Sequence, residues 1–159
     1  MTNDGYLILT DFGLSKLLDG SESTQSFCGT PDFLAPEVIT GMKYAYPVDW
    51  WSLGILAYNL LIGTTPFQNI HKDQTQMFMA IKKNEIKFPK FNEKRQKIIL
   101  SNECKDFVTR LLDKDPSTRL GSENGIEEIF AHPWMNIDID SIRNKTMEAP
   151  MMPDVNSLF

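Results

Sequence analysis

Cysteine is scarce in this 159-residue chain, which has only two. Cys28 and Cys104 lie far apart and form no CxxC pair, so neither a disulfide framework nor a zinc site is indicated. A reducing, cytoplasmic setting fits. No basic segment followed by a long apolar run opens the chain, which argues against a secretory leader. The longest apolar stretch, 48–62, is shorter than the roughly 18 residues that signal a membrane-spanning helix, and it contains Asp49 and Asn59. It reads as a buried helix, and no transmembrane segment is expected. There is no internal repeat and no low-complexity tract, and the length suits one domain or a piece of one.

Positive charge is unevenly spread. Lys82, Lys83, Lys87, Lys90, Lys94, Arg95 and Lys97 are seven of the sixteen basic residues, with only Glu85 and Glu93 among them. Such a run can attract an anionic partner, but no aromatic stacking pattern or nucleic-acid motif accompanies it. A solvated loop is the favoured reading, and no nucleic-acid partner is expected.

Asn3-Asp4-Gly5 is a turn signal, and the strand formers at 6–10 after it predict half of a β-hairpin. Ser, Thr, Asp and Gly between 17 and 31 predict an irregular loop of the kind that carries function. Pro47 suits a first helical turn, Leu53, Leu56, Ala57, Leu60 and Leu61 recur at helical spacing, and Gly63 offers the stop. Trp50, Ile55 and Ile62 add apolar surface on other faces, so this helix should be central and enclosed by protein. Asp73 with Gln76 resembles a capping box opening an amphipathic, peripheral helix. Ser101 caps another, in which Cys104, Phe107, Val108, Leu111 and Leu112 form a core face. Residues 125–131 suggest a short last helix ended by His132-Pro133, followed from 145 by an extended tail.

Asp11-Phe12-Gly13 directly after the first strand, and Ala35-Pro36-Glu37 after the Ser/Thr-rich loop, have the spacing of a kinase activation segment. Around them stand Phe27-Cys28-Gly29-Thr30-Pro31, Val48-Asp49-Trp50-Trp51-Ser52-Leu53-Gly54, Pro66-Phe67, Asp115-Pro116 and Arg119-Leu120-Gly121. Together they resemble the AGC group of Ser/Thr protein kinases, the branch of protein kinase A, Akt and S6 kinase, over nearly the whole chain. The resemblance implies a mainly α fold, the partial helical lobe of the protein-kinase-like fold with one N-terminal β-strand. It implies a kinase part at 1–134 and the start of the AGC C-terminal extension at 135–159, where Glu148-Ala149-Pro150 and Met152-Pro153 match.

The same resemblance assigns roles. Asp11 would hold the magnesium of Mg-ATP, since a hard dication bridging phosphate oxygens wants a carboxylate beside them. Ser26 stands at the activation-loop phosphorylation position, and Lys16 matches one contact of that phosphate. Thr30 matches the threonine beside the substrate site, suiting Ser/Thr acceptors. Glu37 and Arg119 match the ion pair that ties the activation segment to the helical lobe. Asp49 matches an acceptor of catalytic-loop backbone hydrogen bonds. Two departures touch substrate choice: Asn59 replaces an acidic residue frequent in basophilic relatives, and Asp32 replaces a common Glu. An apparent insertion near 92–100 lengthens the basic segment.

The Gly-rich loop, the ATP-binding lysine with its helix glutamate, and the His-Arg-Asp base are all missing from these residues. The expected full activity is transfer of the ATP γ-phosphate to protein Ser/Thr. Its partners would be protein substrates, an upstream activating kinase, and the missing N-lobe and catalytic loop of the same domain. This chain alone is expected to be inactive, and to aggregate or stay molten where absent helices leave apolar faces open. The alternative reading is a noncatalytic protein-binding module derived from a kinase lobe.

Overall fold

A computed structural model describes residues 1–19, 22–68 and 73–153. The chain forms two compact units, one joining Met1–Lys16 to Asn136–Phe159 and the other running over Leu17–Met135. The described residues are helix and loop throughout: α1 (Pro36–Ile39), α2 (Pro47–Ile62), α3 (Gln74–Lys83), α4 (Asn102–Leu111), α5 (Ile126–Phe130) and α6 (Ile139–Arg143). Two single-turn 3-10 helices, Phe12–Leu14 and Pro31–Phe33, complete the set. This is the mainly helical lobe that the sequence predicts.

The larger unit is built on α2, and its boundaries follow from local chemistry. Pro47 starts it with a preset φ, and Gly63, at φ 96°, ends it with its N–H on the Asn59 carbonyl. Asp73 caps α3 by accepting from the Gln76 N–H at 2.8 Å, and Ser101 caps α4 by accepting from the Cys104 N–H at 3.1 Å. Helices α2 and α4 pack closely because Gly54 has no side chain. A Cβ there would lie 2.9 Å from Leu111 Cβ and equally close to two Leu112 carbons. Trp51, Ile55, Tyr58 and Ile62 of α2 are buried against Phe107, Val108, Leu111 and Leu112.

Enclosure of α2 is incomplete, however, because Leu56 and Leu60 remain 44% and 77% exposed. The helix is central on one side and open on the other. Beyond α5, His132 is buried; its Nδ1 accepts from the Trp134 N–H and its Nε2 lies 3.0 Å from Asp106. That pairing fixes the neutral ring with its proton on Nε2, donated to the carboxylate.

In the smaller unit the predicted turn at 3–5 forms, with Gly5 at φ 83° and the Thr2 N–H bonded to the Tyr6 carbonyl at 2.7 Å. The predicted strand at 6–10 does not. A strand is stabilised by a neighbouring ladder, and apart from the turn bonds of Tyr6 to Thr2 no described residue forms a bridge with this segment. Leu7 and Leu9 are consequently 88% and 81% exposed. The tail is pinned to the N-terminal segment: Tyr6 Oη donates to the Met147 carbonyl at 2.8 Å, and Gly5 faces Ala149 and Met152. Helix α6 escaped the sequence reading. Its signal is Asp138, which accepts from both the N–H and the hydroxyl of Ser141.

Candidate functional site

Glu37 and Arg119, 82 residues apart in sequence, are brought together. Glu37 sits in the first turn of α1, where an acidic side chain complements the helix N-terminus. Arg119 follows the tight Asp115-Pro116 turn, in which Asp115 accepts from the N–H and hydroxyl of Ser117. The pair is bidentate, at 2.7 and 3.0 Å, and both side chains are almost entirely removed from water. Arg119 also donates to the Pro47 carbonyl at 2.8 Å and, through Nε, to the Asp113 carbonyl at 3.0 Å. One guanidinium thus links α1, the start of α2 and the loop after α4.

Two aromatic motif residues lie beside it. Trp51 and Phe67 stack with ring centroids 6.3 Å apart, and the Arg119 guanidinium lies 5.3 Å from the Trp51 ring. Sequence reasoning missed Lys114. Its ammonium sits 4.8 Å from the Trp51 ring and 4.6 Å from the Phe67 ring, with no hydrogen-bond partner among the described residues. Burial, reinforced by the Arg119 charge, lowers its pKa to about 8. Nothing in the pattern around a surface-type lysine signals two aromatic faces contributed from elsewhere in the chain.

The loop ahead of α1 is held in place. Thr24 and Tyr44 exchange two backbone hydrogen bonds of 2.9 Å, Tyr44 Oη donates to the Ser26 carbonyl at 2.6 Å, and Gln25 donates to the Gly41 carbonyl. These anchors use the backbone of Ser26 and leave its side chain exposed, 3.3 Å from the Thr24 hydroxyl. Thr30, also exposed, precedes the 3-10 turn Pro31–Phe33. That turn is tied down by Thr65 donating to Asp32 at 3.1 Å and by Ser52 donating to the Phe33 carbonyl at 3.2 Å. Asp49, in the first turn of α2, lies at the surface with its carboxyl partly desolvated by neighbouring groups, which raises its pKa. No described residue donates to its carboxylate.

Asp11 and Lys16 belong to the smaller unit, and both are exposed. Asp11 adopts a left-handed conformation, φ 61° and ψ 69°, immediately before the Phe12–Leu14 turn. Non-glycine residues rarely hold this conformation, and such outliers gather at functional positions. Phe12 and Leu14 are 63% and 69% exposed. No group of three potential metal ligands occurs among the described residues. A single carboxylate nevertheless suits magnesium, which is commonly held by one or two carboxylates with the substrate's phosphates supplying further oxygens. The chain therefore fits the metal as the donor of one ligand, not as a complete site.

The chain belongs to the protein kinase domain family, which it matches over residues 1–135. It is 39% identical over 159 residues to the Serine/threonine-protein kinase sgk-1 of Caenorhabditis elegans, covering 99% of this chain and 32% of that protein. Similarity to the RAC family serine/threonine-protein kinase homolog of Dictyostelium discoideum is 38% over 158 residues, 98% of this chain and 33% of the relative. Protein kinase C delta type of Rattus norvegicus is 34% identical over 159 residues, 99% of this chain and 22% of the relative. These relatives are AGC-type Ser/Thr kinases, as the motifs indicated. The chain spans about a third or less of their length.

Proposed function

We propose that this chain is the helical lobe of an AGC-type kinase that transfers the ATP γ-phosphate to Ser/Thr residues of proteins. Residues 1–134 contribute to the kinase domain and 135–159 begin the C-terminal extension. The observation that carries this reading is the buried Glu37–Arg119 pair, which has little use in a fold without an activation segment to fasten. Asp11 would hold the magnesium of Mg-ATP, which would supply charge neutralisation at the phosphates, Thr30 would line the substrate position, and Asp49 would receive the catalytic-loop backbone. Ser26 is the phosphate acceptor for an upstream kinase, with Lys16 as one cationic contact. We place the protein in the cytoplasm.

Phosphoryl transfer needs positioning and charge stabilisation by several parts at once, so these residues alone do not catalyse it. Calorimetric titration tests the division of labour. The chain alone should show no saturable binding of magnesium-ATP. A polypeptide joining it to a Gly-rich loop, an ATP-binding lysine and a His-Arg-Asp loop should bind. Asp11→Asn in the joined polypeptide should then remove the metal dependence of binding. Saturable binding by the chain alone, or metal dependence that survives Asp11→Asn, contradicts the reading.

A further inference from the structure

The basic segment after α3 is a hairpin with two different faces. The Asn92 N–H donates to the Gln96 carbonyl at 3.0 Å and the Ile98 N–H to the Lys90 carbonyl at 2.9 Å, which places Phe91 opposite Lys97 in an antiparallel bridge. The tip closes on Arg95 at φ 58°, with the Asn92 carboxamide bonded to both the backbone and the side chain of Gln96. Side chains alternate in such a ladder. Ile86, Phe88, Ile98 and Leu100 point inward and pack on the core, and the Lys87 carbonyl accepts from Tyr58 Oη at 2.7 Å. Phe91 and Lys97 share the outer face across the bridge, and Lys87 and Ile99 are likewise exposed.

A solvated hairpin face in a one-sided ladder is ordinarily polar. Here Phe91 is 58% and Ile99 81% exposed, and neither is needed for the inward packing. Lys90, Lys94 and Arg95 at the exposed arm and tip add to the two outward lysines. The segment thus carries two large exposed apolar side chains among five exposed cations and one exposed carboxylate, Glu93, on a chain whose net charge is −5. That combination suits an interface that is anionic at its surface and apolar just beneath. We propose that the 87–99 hairpin docks peripherally on an anionic phospholipid surface, Phe91 and Ile99 entering the headgroup boundary while the cations meet acidic headgroups.

Flotation of the full chain with vesicles tests this. Phosphatidylcholine vesicles containing about a third phosphatidylserine should capture it, and pure phosphatidylcholine vesicles should not; capture should weaken as salt is raised. The pair Lys87→Ser and Lys97→Ser should reduce binding roughly 25-fold, from about a fivefold effect per cation near the surface. Phe91→Ser with Ile99→Ser should reduce it roughly tenfold or more at unchanged charge. Lys43→Ser, an exposed cation outside the hairpin, should leave binding unchanged, which separates the hairpin from general charge attraction. Circular dichroism checks that each variant keeps the parent's helix content. Absence of capture, equal capture by neutral vesicles, or indifference to Phe91 and Ile99 overturns the proposal. So does tighter binding to polyglutamate than to the acidic vesicles, which would assign the face to an acidic protein.

Discussion

Replacing Glu37 by Gln preserves the shape of the side chain and removes its charge, leaving the Arg119 guanidinium buried and uncompensated. Removing one partner of a buried, hydrogen-bonded ion pair costs about 3–5 kcal/mol. The upper half of that range applies here, because both side chains are nearly inaccessible and the contact is bidentate at 2.7 and 3.0 Å. Arg119 keeps its bonds to the Pro47 and Asp113 carbonyls, which prevents a larger loss. At about 1.4 kcal/mol per decade, the opening equilibrium of this region shifts by roughly three to three and a half orders of magnitude. Hydrogen exchange read by mass spectrometry on peptides covering 34–41 and 113–121 should show that loss of protection. Replacing both partners, Glu37→Leu with Arg119→Met, should restore most of it, because an apolar pair of similar volume leaves no buried charge. A change below threefold in the single variant, or a double variant worse than either single, would refute the claim that this pair fastens α1 to the lobe.

Gly54→Ala should destabilise the domain by about 1–3 kcal/mol in urea unfolding, since the added methyl meets Leu111 and Leu112 at 2.9 Å, despite alanine's helix preference of about 1 kcal/mol over glycine. Ser101→Ala removes the acceptor of the Cys104 N–H and should cost about 1 kcal/mol in the same assay. Lys114 has a folded pKa lowered from 10.5 to about 8. The unfolded chain therefore binds the extra proton between those values, and stability should rise as pH increases from about 8 to about 10.5. The two ring faces favour the charged form and moderate that rise, and Lys114→Met should abolish it, read as the difference between parent and variant unfolding curves. Mass spectrometry of the protein from cells in which the kinase is active should find phosphate on Ser26, and its persistent absence there would remove that residue from the account.

The helices of the larger unit were legible because their signals are local: Pro47 and Gly63 around α2, Asp73 before α3 and Ser101 before α4 act within a turn of the residues they cap. The core face of α4, including buried Cys104, followed from spacing alone. The strand at 6–10 was misread because strand propensity says nothing about whether a ladder partner is present. Glu37 with Arg119 was legible as a motif resemblance, whereas Lys114 between Trp51 and Phe67 was not, because that environment exists only once three distant segments meet. The basic run at 82–97, which the apparent insertion near 92–100 lengthens, read as a solvated loop. Its two-faced character appears only when the bridge between Phe91 and Lys97 sets the alternation.

The central proposal is that Asp11 holds the magnesium of Mg-ATP when the other parts of a kinase domain are present. The most direct measurement is transfer of radiolabelled γ-phosphate from ATP to a Ser/Thr peptide. The comparison is between the chain alone, the joined polypeptide described above, and that polypeptide with Asp11→Asn. The account predicts no transfer by the chain alone, transfer by the joined form, and a loss of roughly 10²-fold or more on Asp11→Asn, the scale of removing one electrostatic stabiliser of the transition state. Transfer by the chain alone, or an Asp11→Asn variant as active as its parent, would contradict it.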